Sequence, residues 1–241
     1  MTLTVGSLFS GIGGLDLGLE RAGMKVIWQS EIDPYACKVL KKHWPEVPNH
    51  GDIKQIDWRT VEPVDVICGG YPCQPFSIAG HRKGTEDPRH LWPYVREIIK
   101  LLRPKYAILE NVAGHLSLGF GSVLGDLAEI GYDAEWEIIP ASSVGAPHRR
   151  NRIFIIAYPN LQTDIPSSDA MGRSKPAIKK TWRPIVWTQH CGRSGWSTEP
   201  NVSRVDDGVP DRVDRIKALG NAVVPQVAEY IGRLITTSLD A

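Results

Sequence analysis

The chain has 241 residues, 42% of them apolar and 23% charged. That length suits one well-buried α/β domain with a small appendage and excludes two large domains. The net charge of +1 excludes little by itself, but it is unevenly spread: residues 171–198 hold Arg173, Lys175, Lys179, Lys180, Arg183 and Arg193 and no carboxylate, so they carry +6 and the remainder −5. A basic patch on a near-neutral chain fits a polyanion bound at one place, or a solvated loop.

Cys37, Cys68, Cys73 and Cys191 match neither zinc nor disulfide spacing, so no metal is expected. The first residues show no basic stretch leading into a long apolar run. No window reaches the roughly 18 apolar residues of a membrane span. A cytoplasmic, reducing setting is expected, and there a thiol is available for chemistry.

In chain order, residues 3–9 are an apolar run ending in Ser10-Gly11-Ile12-Gly13-Gly14. Leu15, Leu17, Leu19 and Ala22 then begin a helical pattern that stops at Gly23, which together reads as strand, glycine turn, helix. A second strand is predicted over 25–30, with Glu31 and Asp33 just past its end, and Pro34 opens a helix over 35–43. Residues 64–68 form a third strand and 92–102 a helix. Residues 106–109 form a fourth strand that ends at Glu110-Asn111, followed by a helix over 121–130. Residues 134–139 and 153–157 are close enough to be an antiparallel pair at one sheet edge. From 159 to 215 the chain is rich in Ser, Pro, Gly, Arg and Trp and loses periodicity. A helical pattern returns over 223–235 after a turn at Leu219-Gly220-Asn221. The alternation predicts an α/β fold with a doubly wound mixed sheet and an antiparallel edge pair. Ligands of such sheets bind at the carboxyl ends of the strands, where the glycine turn, Glu31, the 71–77 loop and Glu110 all fall.

The glycine turn lets a ligand approach the backbone, and Glu31 lies 20 residues after Gly11, where a carboxylate can accept ribose hydroxyls. This predicts a cofactor containing adenosine: a nicotinamide or flavin dinucleotide, or S-adenosylmethionine. Phe9 either faces that ligand or packs in the core. Asp52 either meets the adenine amino group or shapes a turn.

Cys73 lies in Tyr71-Pro72-Cys73-Gln74-Pro75-Phe76, and the flanking prolines keep it out of regular structure. Cys37 and Cys68 read as structural. A thiol needs a nearby cation to act as thiolate at neutral pH, and Arg150 and Arg152 are candidates. Thiolate addition at C6 of cytosine would make C5 nucleophilic towards a sulfonium methyl group, provided that a carboxyl group such as Glu110 engages N3. An oxidoreductase with a redox cysteine accounts for the glycine turn and Glu31, but not for Glu110, the arginines or Gly220-Asn221-Ala222-Val223.

These motifs, in this order, resemble the bacterial and phage-type DNA (cytosine-5) methyltransferases. Leu8-Phe9-Ser10-Gly11-Ile12-Gly13-Gly14-Leu15 resembles the cofactor motif, and Gly69-Gly70-Tyr71-Pro72-Cys73-Gln74-Pro75-Phe76-Ser77 the nucleophile loop. Glu110-Asn111-Val112 resembles the motif that assists at N3, and residues 148–154 the motif with two arginines. Residues 217–225 resemble the closing motif of the cofactor pocket. The resemblance covers about 1–157 and 205–241. It implies a sheet of the S-adenosylmethionine-dependent, Rossmann-like type and methyl transfer to a cytosine flipped out of double-stranded DNA. Cys73, Glu110, Arg150 and Arg152 would be catalytic. Phe9, Gly11, Gly13, Gly14, Glu31, Ile32, Asp52, Ile53, Pro72, Asn221, Ala222 and Val223 would hold the cofactor. Gln74, Ser77, Arg82, Lys83, Arg89 and His148 would contact DNA, with 78–91 as the loop that closes over it.

Two departures stand out. His148 occupies a position where the family usually has Gln. The segment between the arginine and closing motifs is short. The organisation expected is a catalytic and cofactor-binding part over 1–158, a target-recognition segment over 159–204 and a closing segment over 205–241. In the recognition segment Trp182, Trp187 and Trp196 interleave with the basic residues. A monomer near the nucleoid, with a restriction endonuclease as functional partner, is expected. A tRNA methyltransferase on the same scaffold and a DNA-binding module without activity are the alternatives.

Overall fold

The computed structural model describes residues 2–72, 91–160 and 212–239. Six strands form one sheet: β1 (Thr4–Leu8), β2 (Lys25–Ser30), β3 (Val66–Gly70), β4 (Tyr106–Val112), β5 (Tyr132–Pro140) and β6 (Asn151–Pro159), in the order β2-β1-β3-β4-β6-β5. The first four are parallel neighbours. β6 runs antiparallel to both β4 and β5, so the expected antiparallel pair closes this edge. The helices are α1 (Gly14–Arg21), α2 (Pro34–His43), α3 (Trp92–Leu102), α4 (Phe120–Glu129), α5 (Arg212–Asn221) and α6 (Pro225–Leu239).

Alternation along the central strands divides the core between two faces. Ile67, Leu109 and Ile155 point towards α3 and α4, whose Val95, Ile98, Ile99, Val123 and Leu127 meet them. Val66, Cys68, Ile108 and Ile156 point the other way, against Leu15 and Leu19 of α1 and Val227 and Ile231 of α6. Strands buried on both faces read as continuous apolar runs, which is why β3 and β4 were so legible. Among the described helices, α1 and α6 make the most extensive contact. A Cβ on Gly18 would overlap Ala228 and the backbone at Pro225, and one on Gly232 would meet Ala22 at 2.6 Å. Small residues there let two helices lie backbone to backbone, which brings the 220–224 stretch over the start of α1.

Two expectations are corrected. Leu219-Gly220-Asn221 is not a free turn but the last part of α5. Gly and Asn are stop signals for a helix as well as turn formers, and here they end one. Glu110 does not follow the fourth strand but lies within it, paired with Phe154. Pairing with β6 carries the ladder on to Val112 after the apolar run has ended. Among the described residues no helix is long and apolar enough to cross a membrane.

Candidate active site

The sheet order reverses at β1: the chain steps from β1 out to β2, then returns to place β3 on the other flank. The crevice at such a switch lies beyond the strands' carboxyl ends. Phe9, Gly11, Gly14, Glu31, Glu110, Asn221, Ala222 and Val223 all line one cavity there.

The glycine turn is held open by its backbone. Gly11 and Gly13 have φ of 56° and 81°, in the left-handed region that costs a side chain steric strain. Phe9 adopts the same region at 51°, as does Arg150 at 36°. Only Arg103 joins them among the described non-glycine residues, so two of the three lie at this site, where strained backbone tends to gather. Gly14 needs its missing side chain for another reason, because a Cβ there would overlap the Val223 carbonyl.

Glu31 ties the turn to the end of β2. Its Oε2 accepts the Gly11 N–H at 2.7 Å, and Oε1 accepts those of Ile32 and Asp33 at 2.8 Å each. A carboxylate offers about four acceptor positions, so one remains on Oε2, the oxygen next to the turn.

Glu110 stands at the far end of the same cavity and is buried. Arg152 Nε donates to its Oε1 at 2.9 Å. The pair is set by register: Glu110 faces Phe154, and Arg152 is the diagonal neighbour two residues away on the same face. Gly70 leaves room for the carboxyl group, since a Cβ there would stand 2.7 Å from Oε2. Burial pushes the Glu110 pKa up to about 6, against the opposing pull of Arg152 and Arg150. Arg150 points elsewhere. Its Nη2 donates to the carbonyls of Gly220 and Ala222, at 2.7 Å each, and so holds the end of α5.

The opposite wall is α5, a feature that reading the sequence missed. Lys217 Nζ donates to Asp33 Oδ2 at 2.8 Å, and both residues line the cavity. Asp33 also caps α2 by accepting from Tyr35 and Ala36, and Lys217 and these N–H groups keep its carboxyl below the ordinary range. The signal was present as Asp33-Pro34, a capping residue before a proline at the helix start. A second omission is Asp16. It is fully buried, accepts from Ser7 Oγ and Gln29 Nε2, and is raised to about 6 by burial. It fastens α1 to β1 and β2 directly beneath the glycine turn.

Other predicted positions lie apart from the cavity. Asp52 accepts the Lys54 N–H in a turn, Ile53 is buried in the core, and Ile32 and Pro72 are exposed. None of these lines the cavity. Gly13 does not line it either, but packs against Trp44. His148 is exposed. Cys68 is fully buried and its thiol pushed well up by burial, while Cys37 is half-buried beside Asn49. Cys73, Gln74, Ser77, Arg82, Lys83, Arg89, Cys191 and the basic segment with its three tryptophans lie outside the described residues.

The family model of C-5 cytosine-specific DNA methylases matches residues 3–190. The chain is 38% identical over 220 residues to the Type II methyltransferase M.BsuFI of Bacillus subtilis, covering 88% of this chain and 53% of that protein. It is 35% identical over 158 residues to the Type II methyltransferase M.HhaI of Haemophilus parahaemolyticus, covering 64% and 48%. The chain thus spans about half the length of the curated relatives it matches. Among solved structures, a DNMT2 mutant from Spodoptera frugiperda superimposes with a TM-score of 0.58 at 26% identity, covering 70% of this chain and 54% of that one.

Proposed function

The chain belongs to the C-5 cytosine-specific DNA methylase family, and from that premise we propose that it transfers a methyl group from S-adenosylmethionine to C5 of a cytosine in double-stranded DNA. The observation that carries this reading is Glu110. It is a buried carboxyl group with its pKa pushed up to about 6, paired with Arg152, in the same cavity as the glycine turn and Glu31.

The cavity fits the cofactor by its chemistry. Gly11 brings bare backbone to the wall, and Glu31 keeps one acceptor position for a ribose hydroxyl. When bound, S-adenosylmethionine supplies an electrophilic methyl group. The chain's own residues do the rest. Cys73, two residues beyond Tyr71, adds through its thiolate to cytosine C6 and forms a C–S bond. Electron density moves onto C5 as Glu110 shares its proton with N3. A group with a pKa near 6 holds that proton in roughly one molecule in ten at pH 7, and can both give it up and regain it. Arg152 stabilises the carboxylate left behind. Once C5 carries the methyl group, loss of the C5 proton to solvent water expels the Cys73 thiolate from C6 and restores the ring. The base must leave the duplex to reach this cavity.

By the same reading the protein acts as a monomer at the nucleoid, partnered by an endonuclease of matching specificity. The name Type II methyltransferase, carried by the relatives, supports the last point.

Bisulfite sequencing of DNA from cells that express the protein tests the proposal. Protected cytosines at a recurrent site are expected. Unmodified DNA alongside soluble, cofactor-binding protein defeats it, and modified tRNA in the same cells would shift the substrate to RNA. A duplex with 5-fluorocytosine should be trapped covalently by the wild type and not by Cys73→Ser.

A further inference from the structure

Tyr71 is the last residue before Pro72 and Cys73, and it is fixed from three sides. Its carbonyl accepts from Asn111 Nδ2 at 3.1 Å. Its hydroxyl lies 2.8 Å from His115 Nε2. Its ring lies 5.1 Å from that of Trp92, in a tilted contact, and 5.6 Å from the His115 ring, edge to face. All four side chains are buried. Trp92 in turn donates from Nε1 to Asp126 Oδ2 at 2.6 Å, and Phe120 packs edge-on to His115 at 5.9 Å.

The position of this cluster in the chain matters more than its packing. Residues 73–90 leave the described fold next to Tyr71 and rejoin it next to Trp92. The two stems of that stretch are therefore packed ring to ring. Asn111 and Glu110 are adjacent on β4, and Gly70 pairs with Glu110. The point where the chain leaves β3 is thus tied to the strand that carries Glu110.

His115 sits in a short 3-10 turn just after β4. Its sequence neighbours, Gly114 and Leu116, suggest no chemistry, and an apolar side chain would fill the same space. What a hydrocarbon cannot supply is the bond to the Tyr71 hydroxyl. Burial lowers the His115 pKa, against a smaller opposing effect of the Leu118 backbone, so the ring is held neutral. A neutral imidazole makes one hydrogen bond to the hydroxyl in either tautomer.

We propose that His115 is a positioning residue: through its bond to Tyr71 it fixes a pivot two residues before Cys73, at a strand end tied to the strand that carries Glu110. This rests on the methyltransferase reading for its effect on catalysis, but not for the pivot itself.

The test is a double-substitution cycle with two readouts. The first is the rate of covalent trapping on 5-fluorocytosine DNA carrying the site mapped by bisulfite sequencing, with S-adenosylmethionine present. Tyr71→Phe and His115→Leu are each expected to slow trapping about fivefold, the worth of one buried neutral hydrogen bond. The double variant should be no slower than the slower single, because both remove the same bond. His115→Gln, which can still bond the hydroxyl, should recover most of the rate. Cofactor affinity should not move, and melting temperature should fall by only about 2–4 °C, equally in His115→Leu and Tyr71→Phe. Wild-type trapping rates in the single variants, additive losses, or a larger fall in melting temperature overturn the proposal. The second readout is amide exchange over residues 68–71, expected to rise about fivefold in Tyr71→Phe while β4 is unchanged. If the wild type traps no DNA, the function has failed and this second readout still decides the pivot. Unchanged exchange there overturns it.

Discussion

The two walls of the cavity are held by different physics. On the sheet side, the glycine turn follows Leu8 and Glu110 follows Leu109, both fully buried in strands packed on two faces. On the other side α5 shows Val213, Ile216 and Leu219 to solvent at 79, 54 and 65% exposure. It is held by Lys217 on Asp33 and by Arg150 on the carbonyls of Gly220 and Ala222. Each buried aliphatic side chain of the first wall contributes about 1.5–3 kcal/mol, whereas exposed ion pairs contribute little. The sheet side is therefore as stable as the fold, while α5 can detach at low local cost. A wall that must place reacting atoms is rigid, and one that must admit and release a cofactor is polar and adjustable.

The largest effect should come from the rigid side. Glu110→Gln keeps the shape and an acceptor for Arg152 but removes the exchangeable proton. Methyl transfer is expected to fall by about 10²- to 10⁴-fold, with cofactor affinity retained. A loss of only a few fold, measured in single turnover, would show that this wall is scaffold rather than chemistry. Gly14→Ala should come next. Its Cβ overlaps the Val223 carbonyl, so the closing segment must shift. Overpacking of this kind costs about 1–3 kcal/mol. Cofactor affinity measured by calorimetry should drop about tenfold or more, with a lowered melting temperature.

Arg150→Met separates the walls. It removes both hydrogen bonds to the end of α5 and leaves the Glu110–Arg152 pair in place. Hydrogen bonds from a charged donor contribute roughly 1.5–3 kcal/mol, so a loss of cofactor affinity of about tenfold or more is expected. Hydrogen exchange should accelerate over α5 and stay unchanged over β1 to β4. Equal acceleration in both would mean that the walls are one cooperative unit.

The same division explains what could be read from the sequence. The central strands on the sheet side were legible, because burial on both faces leaves runs such as Val66-Ile67-Cys68 that no surface element tolerates. The glycine turn and Glu31 were legible because their spacing is local to one strand-turn-helix unit. The wall made by α5 was not. Its apolar residues at 213, 216 and 219 have helical spacing, but they do not face the core, so the periodicity lacked its usual cause. The bond between Lys217 and Asp33 spans 184 positions and leaves no local trace. Nor could the partner of Arg150 be inferred. The motif presents two arginines alike, and only register sends Arg152 to Glu110 and leaves Arg150 to α5. His115 was invisible for a similar reason, since its meaning depends on Tyr71, 44 residues earlier.

The smallest effect is the most discriminating, because the walls respond to pH in opposite directions. Glu110 is raised from 4.5 to about 6 by burial, and Asp16 from 3.8 to about 6. The folded state binds their protons more tightly than the unfolded chain does. Their contribution to stability is full below those ordinary values and is lost as pH rises through about 6. Asp33 is lowered from 3.8, chiefly by Lys217, so its contribution is present above that value and is lost as pH falls through the lowered one. Acid should therefore loosen α5 while the sheet side holds. Exchange over α5, corrected for intrinsic rates, should rise in the wild type as pH falls below 3.8. Lys217→Gln should abolish that rise and raise the cofactor Kd at most about fivefold, as suits an exposed pair. It should also flatten the dependence of Kd on salt. If the variant keeps the acid response, the latch on α5 is Arg150 alone, and the adjustable wall hangs from its C-terminal end.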